Sequence, residues 1–138
     1  MAFAGISYVG VLVATVTGFL FGGVWYGAFS KQWMAAIGKT EKELNNSGSL
    51  AIPMIITAIA QLVMAYVLAG VIGHLGPGQV TLWNGIVSGF FIWFGFVLTT
   101  LVVNHSFQGQ TRVLTALDAG HWLGVLLIQG AVIGIIGV

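Results

Sequence analysis

Asp118 is the only acidic residue in a long apolar stretch, ALDAGHWLGVLLIQG (residues 116–130), which also carries His121 one turn further on and Gln129. An ionised carboxylate at the centre of a bilayer costs about 2.5 to 3.5 kcal/mol on insertion scales, and less towards the interface. Asp118 therefore needs a partner. At about 100° per helical residue, Asp118, His121 and Gln129 share an arc of roughly 80°, while Gly120 and Gly124 point to the other side. The groups at similar depth are His121 and, across a short polar stretch, Asn104, His105 and Arg112.

Two chemistries fit such a set. A fully paired polar cluster would tie the ends of two helices together and specify their packing without any reaction. Alternatively, an ionisable residue inside a membrane span marks a proton, ion or ligand site. Asp118 and His121 within reach of each other would titrate as a pair, able to exchange a proton near neutral pH. Two histidines and a carboxylate (His105, His121, Asp118) would also suit several transition metals. No compact metal motif accompanies them, so no metal and no other cofactor is expected. His74 lies away from the other two histidines, which argues against a bis-histidine haem. Gln61, Asn84 and Gln129 form a looser polar ladder that either lines a pathway or bonds across helices, at about 0.6 to 2 kcal/mol per bond. Without a serine, cysteine or paired-carboxylate constellation, an enzyme is the weakest reading.

The elements that position these residues follow from composition. Of 138 residues 58% are hydrophobic and 5% charged, against about 25% charged in an ordinary soluble domain. Such a chain cannot cover a soluble surface. The net charge of +1 leaves no basic face for nucleic acid. There is no cysteine, hence no disulfide framework or thiolate site. A hydrocarbon core of about 30 Å needs roughly 20 apolar residues, and four stretches qualify, at about 8–29, 50–72, 81–103 and 114–137. Their continuous apolarity excludes the alternating pattern of a membrane barrel. The expected fold is all-α: one integral membrane domain over residues 1–138, a bundle of four transmembrane helices with lipid as its first partner. The first ten residues lack the basic region of a signal peptide, so the first stretch is kept as a span.

Lys31, Lys39, Glu41, Lys42 and Glu43 all fall in the first connection. Phe29, Trp33 and Ile37 recur there every four residues, which predicts a short interfacial helix over 29–38 followed by a polar turn. Ser49 is the expected N-cap of the second span, with Pro53 tolerated in its first turn. GHLGPGQV (residues 73–80) and NHSFQGQT (residues 104–111) read as tight turns. Every Lys and Arg lies in or beside the first and third connections, which places those connections in the cytoplasm and both termini on the non-cytoplasmic side. Trp25, Tyr26 and Trp33 then fall at the inner boundary and Trp83 at the outer one, as interface aromatics. Trp93 is an exception, placed mid-span.

Small residues recur every four positions: Gly10, Ala14, Gly18 and Gly22 in the first span, Gly85 and Gly89 in the third, Ala116, Gly120 and Gly124 in the fourth. This spacing lets helix backbones approach closely where lipid removes the usual hydrophobic drive. The contacts could lie within one chain or between copies.

The segments GGVWYGAFSKQWMAAIG and ALDAGHWLGVLLIQGAVIG resemble the closing part of the first helix and the last segment of a small, mainly bacterial membrane family, domain of unknown function 1761. The resemblance implies a stand-alone four-helix protein of a bacterial inner membrane, makes Trp25, Tyr26, Trp33, Asp118 and His121 the positions to test, and carries no activity. The expected function is that of a non-enzymatic membrane subunit that self-associates or joins a larger membrane complex. The alternative is a small proton- or cation-coupled transporter or channel using the Asp118 and His121 face.

Overall fold

The computed structural model describes residues 3–46, 48 and 50–137, and all regular structure among them is helical. Four helices are long and apolar enough to cross a membrane: Tyr8–Ala28, Ala51–Gly73, Leu82–Phe107 and Arg112–Ile136, of 21, 23, 26 and 25 residues. In chain order the elements are α1 (Tyr8–Ala28), α2 (Ser30–Ile37), α3 (Glu41–Asn46), α4 (Ala51–Gly73), α5 (Leu82–Ile92), a π-helical segment (Trp93–Leu98), α6 (Thr99–Phe107) and α7 (Arg112–Ile136).

Hydroxyl side chains start three of the four long helices. Ser7 Oγ accepts from Gly10 N at 3.0 Å, Thr81 Oγ1 from Asn84 N at 3.2 Å and Thr111 Oγ1 from Leu114 N at 3.1 Å. Each satisfies one orphan amide of a first turn. Thr111→Ala should therefore lower unfolding stability in detergent by about 1 kcal/mol while keeping the helical signal, as followed by circular dichroism. α4 starts after Leu50, whose own side chain makes no capping hydrogen bond, and Pro53 sits in its first turn. The expected N-cap, Ser49, lies outside the described residues.

The short helix expected over 29–38 is α2, closed by Gly38 in the left-handed conformation (φ 72°). The polar turn expected after it is corrected: it folds into α3. Thr40 Oγ1 accepts from Glu43 N at 3.2 Å and contacts the Glu43 carboxylate at the same distance. A threonine three residues before a glutamate is a sequence-level helix start.

The third connection is also shorter than expected. Asn104, His105 and Ser106 continue the third helix to Phe107, and the turn is limited to the residues before Arg112, with Gly109 at φ 67°. Inside this rod the π-helical segment widens the backbone ladder over Trp93–Leu98. Thr99 Oγ1 donates to Gly95 O at 2.9 Å and Thr100 Oγ1 to Phe96 O. Such hydroxyl back-bonds re-satisfy carbonyls that an irregular turn frees.

α7 is the hub, packed between α1 on one side and α5 on the other, with α4 against α1. The apolar core gathers Val11 and Ala14 of α1, Ala65, Leu68, Ala69 and Ile72 of α4, and Leu126 and Ile133 of α7. α4 joins this core from Gln61 onward, and residues 51–60 bury none of their side chains.

The small residues of α1 line its inner face, where Gly10, Ala14, Gly18 and Gly22 are all buried. A Cβ on Gly22 would come within 2.8 Å of His121 Nε2, and one on Gly18 within 2.6 Å of Gln61 Oε1. Across the same seam a Cβ on Gly120 would strike the Trp25 ring, and one on Gly124 the Phe21 ring. Large groups of each helix thus seat on glycines of the other. Although Gly120 and Gly124 point away from the arc of His121 and Gln129, both sets face α1. Ala116 is exposed and takes no part in the seam.

On the α5 side the approach is backbone to backbone. A Cβ on Gly85 would overlap the carbonyl of Gly130, and one on Gly130 the carbonyl of Gly85; Gly134 meets the Thr81 carbonyl and Gly89 that of Leu126. The α7 partners of Gly85 and Gly89 are thus Gly130 and the Leu126 carbonyl.

Candidate functional site

Asp118 stands in the second turn of α7, about 9 Å of rise beyond Arg112, and its side chain is 22% exposed. Two indoles hold the backbone on either side of it. Trp25 Nε1 of α1 donates to Leu117 O at 3.0 Å, and Trp93 Nε1 of the π-helical segment donates to Ala119 O at 2.8 Å. These bonds give Trp93 its mid-span place. They also place the Trp25 indole in the helix seam.

The carboxylate has partners from two other segments. The Tyr26 hydroxyl donates to Asp118 Oδ1 at 2.7 Å, and His105 Nε2 lies 3.7 Å from Asp118 Oδ2. The second ring nitrogen of His105, Nδ1, is 2.8 Å from Thr115 Oγ1. That contact fixes the ring, and whichever tautomer it holds leaves Nε2 facing the carboxylate. Thr115 in turn donates to Thr111 O at 3.3 Å. Tyr26 of α1, Asp118 of α7 and His105 of α6 thus form one chain of polar groups.

Of the partners weighed for Asp118, His105 is the one at ion-pair distance. No hydrogen bond or ion pair joins Asp118 to His121, Asn104 or Arg112 among the described residues. Asn104 and Arg112 are exposed. Tyr26 is the partner that its reading as an interface aromatic did not anticipate. Trp33 packs edge-on against it, with ring centroids 6.2 Å apart, and Trp83 is exposed near the start of α5.

His121 belongs to a second cluster, deeper in the bundle. Its ring is buried against Tyr26 at 4.8 Å between centroids and against Trp122 at 4.6 Å. Its Nδ1 is buried without a partner. Gln61 and Gln129 are fully buried further along, where Gln129 Nε2 donates to the backbone oxygen of Gln61 at 3.2 Å. Gln61 Nε2, Gln61 Oε1 and Gln129 Oε1 likewise have no partner among the described residues. Most buried side-chain polar atoms are hydrogen-bonded, so these four orphans of α4 and α7, in side chains that pack on Gly18 and Gly22 of α1, need an explanation. Asn84 stands apart from this ladder, donating to Gln79 O at 2.8 Å.

His105 and His121 sit on different sides of Asp118, one towards α6 and one towards α1. Among the described residues no group of three or more His, Cys, Asp or Glu side chains is placed to hold a metal ion.

Fold and site together define a class: a small all-helical protein with four helices long and apolar enough to cross a membrane, and a polar cluster where three of its segments meet. The chain belongs to the family described as protein of unknown function (DUF1761), whose model matches residues 9–134. No curated protein and no solved structure matches the chain.

Proposed function

We propose that the chain is an integral membrane protein that moves or senses protons at Asp118, with the first and third connections in the cytoplasm and both termini outside. The observation that carries this reading is the convergence of Tyr26, Asp118 and His105 from separate segments, with the carboxylate partly exposed. A structural cluster would gain from a strong cation. Arg112, six residues away on the same helix, makes no ion pair with Asp118. A carboxylate between a phenol and an imidazole has neighbours that can pass a proton. His105, Ser106, Gln110 and Arg112 line an open hollow beside the third connection, which gives water a route to His105. Tyr26 faces the buried His121 and Gln61 side. The relay therefore runs from the cytoplasmic hollow through His105 and Asp118 to Tyr26.

Proteoliposomes with an entrapped pH dye test it. Wild-type protein should collapse an imposed proton gradient, and Asp118→Asn should slow that by about tenfold or more, as for a required intramembrane proton site. Asp118→Asn running at the wild-type rate would sink the relay.

A second reading, an accessory or self-associating subunit, is favoured by the first half of α4. Ile52, Met54, Ile55, Ile56 and Ile59 are exposed, which offers a partner helix an apolar face. The glycine rows that first suggested self-association are used inside the bundle. Crosslinking between copies through α4 would support this reading.

A further inference from the structure

A cleft of about 340 Å³ opens between α1, α4 and α7, and its walls include Phe19, Gly23, Tyr26, Gln61, His121 and Trp122. We infer that this cleft binds a neutral, membrane-soluble ring compound with a carbonyl or hydroxyl edge, of the quinone or phenol class, held by Gln61 and His121.

Three observations define the ligand. First, the inner wall holds polar groups that the protein does not satisfy: both amide atoms of Gln61 and Nδ1 of His121, in side chains 0% and 4% exposed. An orphan buried donor or acceptor is destabilising by about 1 to 3 kcal/mol, so three beside an open cleft point to an outside partner. Gln61 supplies a donor and an acceptor, and His121 supplies either, by tautomer. A carbonyl or hydroxyl edge meets both. Second, Phe19, Tyr26 and Trp122 bring three rings to the wall, beside Gly22, Gly23, Met54 and Thr57, and rings suit a flat apolar body. Third, among the described residues no Asp, Glu, Lys or Arg lines the cleft, which disfavours an ion. The mouth passes Gly23 and Met54, both exposed, next to the apolar first half of α4, so access is from lipid.

Gly23 has nothing within 4 Å of an added Cβ, which makes it a place to fill the cleft without disturbing the seam. Tyr26 is shared: it lines the cleft and donates to Asp118. Binding rests on membrane residence but does not require proton exchange at Asp118.

The test is quenching of tryptophan fluorescence, since Trp122 is in the wall, by decyl-benzoquinone and para-decylphenol added to protein in nanodiscs. Tetraphenylphosphonium and decanoate serve as the cationic and anionic probes. Wild-type protein should show saturable quenching or shift with the two neutral rings and not with the ions. Gly23→Leu should abolish it, and Gln61→Leu should weaken it by about tenfold, the loss expected for a buried hydrogen bond. Circular dichroism establishes that both variants are folded. Asp118→Asn should bind as wild type, because the carboxylate is not in the wall; a loss of gradient collapse with binding retained separates the two sites. Unsaturable quenching, equal affinity in folded Gly23→Leu, preference for either ion, or loss of binding in Asp118→Asn would overturn the assignment.

Discussion

Gly130→Ala is expected to lower the thermal unfolding midpoint in detergent more than any surface change in the chain, and Gly85→Ala is expected to match it. Each added methyl falls on the other glycine's carbonyl, so neither a rotamer change nor a flexible side chain can relieve the overlap. Forced extra methylenes in packed interiors cost about 1 to 3 kcal/mol, and a clash with rigid backbone belongs at the upper end. Alanine is the better helix former by about 1 kcal/mol, which offsets only part. Gly27→Ala is the control: nothing lies within 4 Å of its Cβ, and the same propensity gain should leave stability equal or slightly higher. The double variant should lose less than the sum, because either methyl already separates the same two helices. Gly130→Ala melting with Gly27→Ala would mean that α5 and α7 do not touch at this seam.

Tyr26→Phe is the second change expected to be large. Among the described residues its hydroxyl is the only side-chain group hydrogen-bonded to the Asp118 carboxylate, at 2.7 Å, whereas His105 stands at 3.7 Å. Phenylalanine keeps the ring against His121 and Trp33 and removes only that donor. A partly buried carboxylate that loses its donor is destabilised by about 1 to 3 kcal/mol. In Asp118→Asn the same removal should matter less, and a cycle over both changes should return a coupling of about 0.5 to 3 kcal/mol. Additive effects, measured by chemical unfolding in micelles, would show that the phenol and the carboxylate act independently. Proton movement should fall in Tyr26→Phe along with stability, since the proposed relay ends on this hydroxyl.

The spans were legible because bilayer thickness dictates length: three of four lower bounds lie within one residue of the structure, and the fourth helix starts two residues early, at Arg112. Polar residues at helix ends were not legible. Asn104 to Ser106 look like a turn by composition, yet His105 is held by Thr115 and Asp118 from α7, and such partners let a polar turn stay helical. α3 did carry a local signal, Thr40 three residues before Glu43, which a reading for charge alone passes over.

The site was half legible. One carboxylate in an apolar segment had to be partnered, and His105 was among its candidates. Tyr26 is 92 residues away, a separation no periodicity spans. Trp25 and Tyr26 looked like boundary aromatics because their depth suits that role, but the same depth lets an indole N–H and a phenol O–H reach α7. On the fourth helix, Gly130 and Gly134 share the four-residue spacing of Gly120 and Gly124, and only the direction of α5 separates the two rows. The orphan atoms of Gln61 and His121 were beyond sequence, because satisfaction depends on all neighbours at once.

The central claim is that Asp118 is a working proton site joined to Tyr26, and infrared difference spectroscopy tests it most directly. The chain has only three acidic side chains, and Glu41 and Glu43 are exposed in α3, so few carboxyl bands compete. A pH-difference spectrum of the protein in nanodiscs should contain a protonated-carboxyl band that disappears in Asp118→Asn and shifts to a more weakly hydrogen-bonded position in Tyr26→Phe. A spectrum without any Asp118 band across the titration, or a band that Tyr26→Phe leaves in place, would contradict the account.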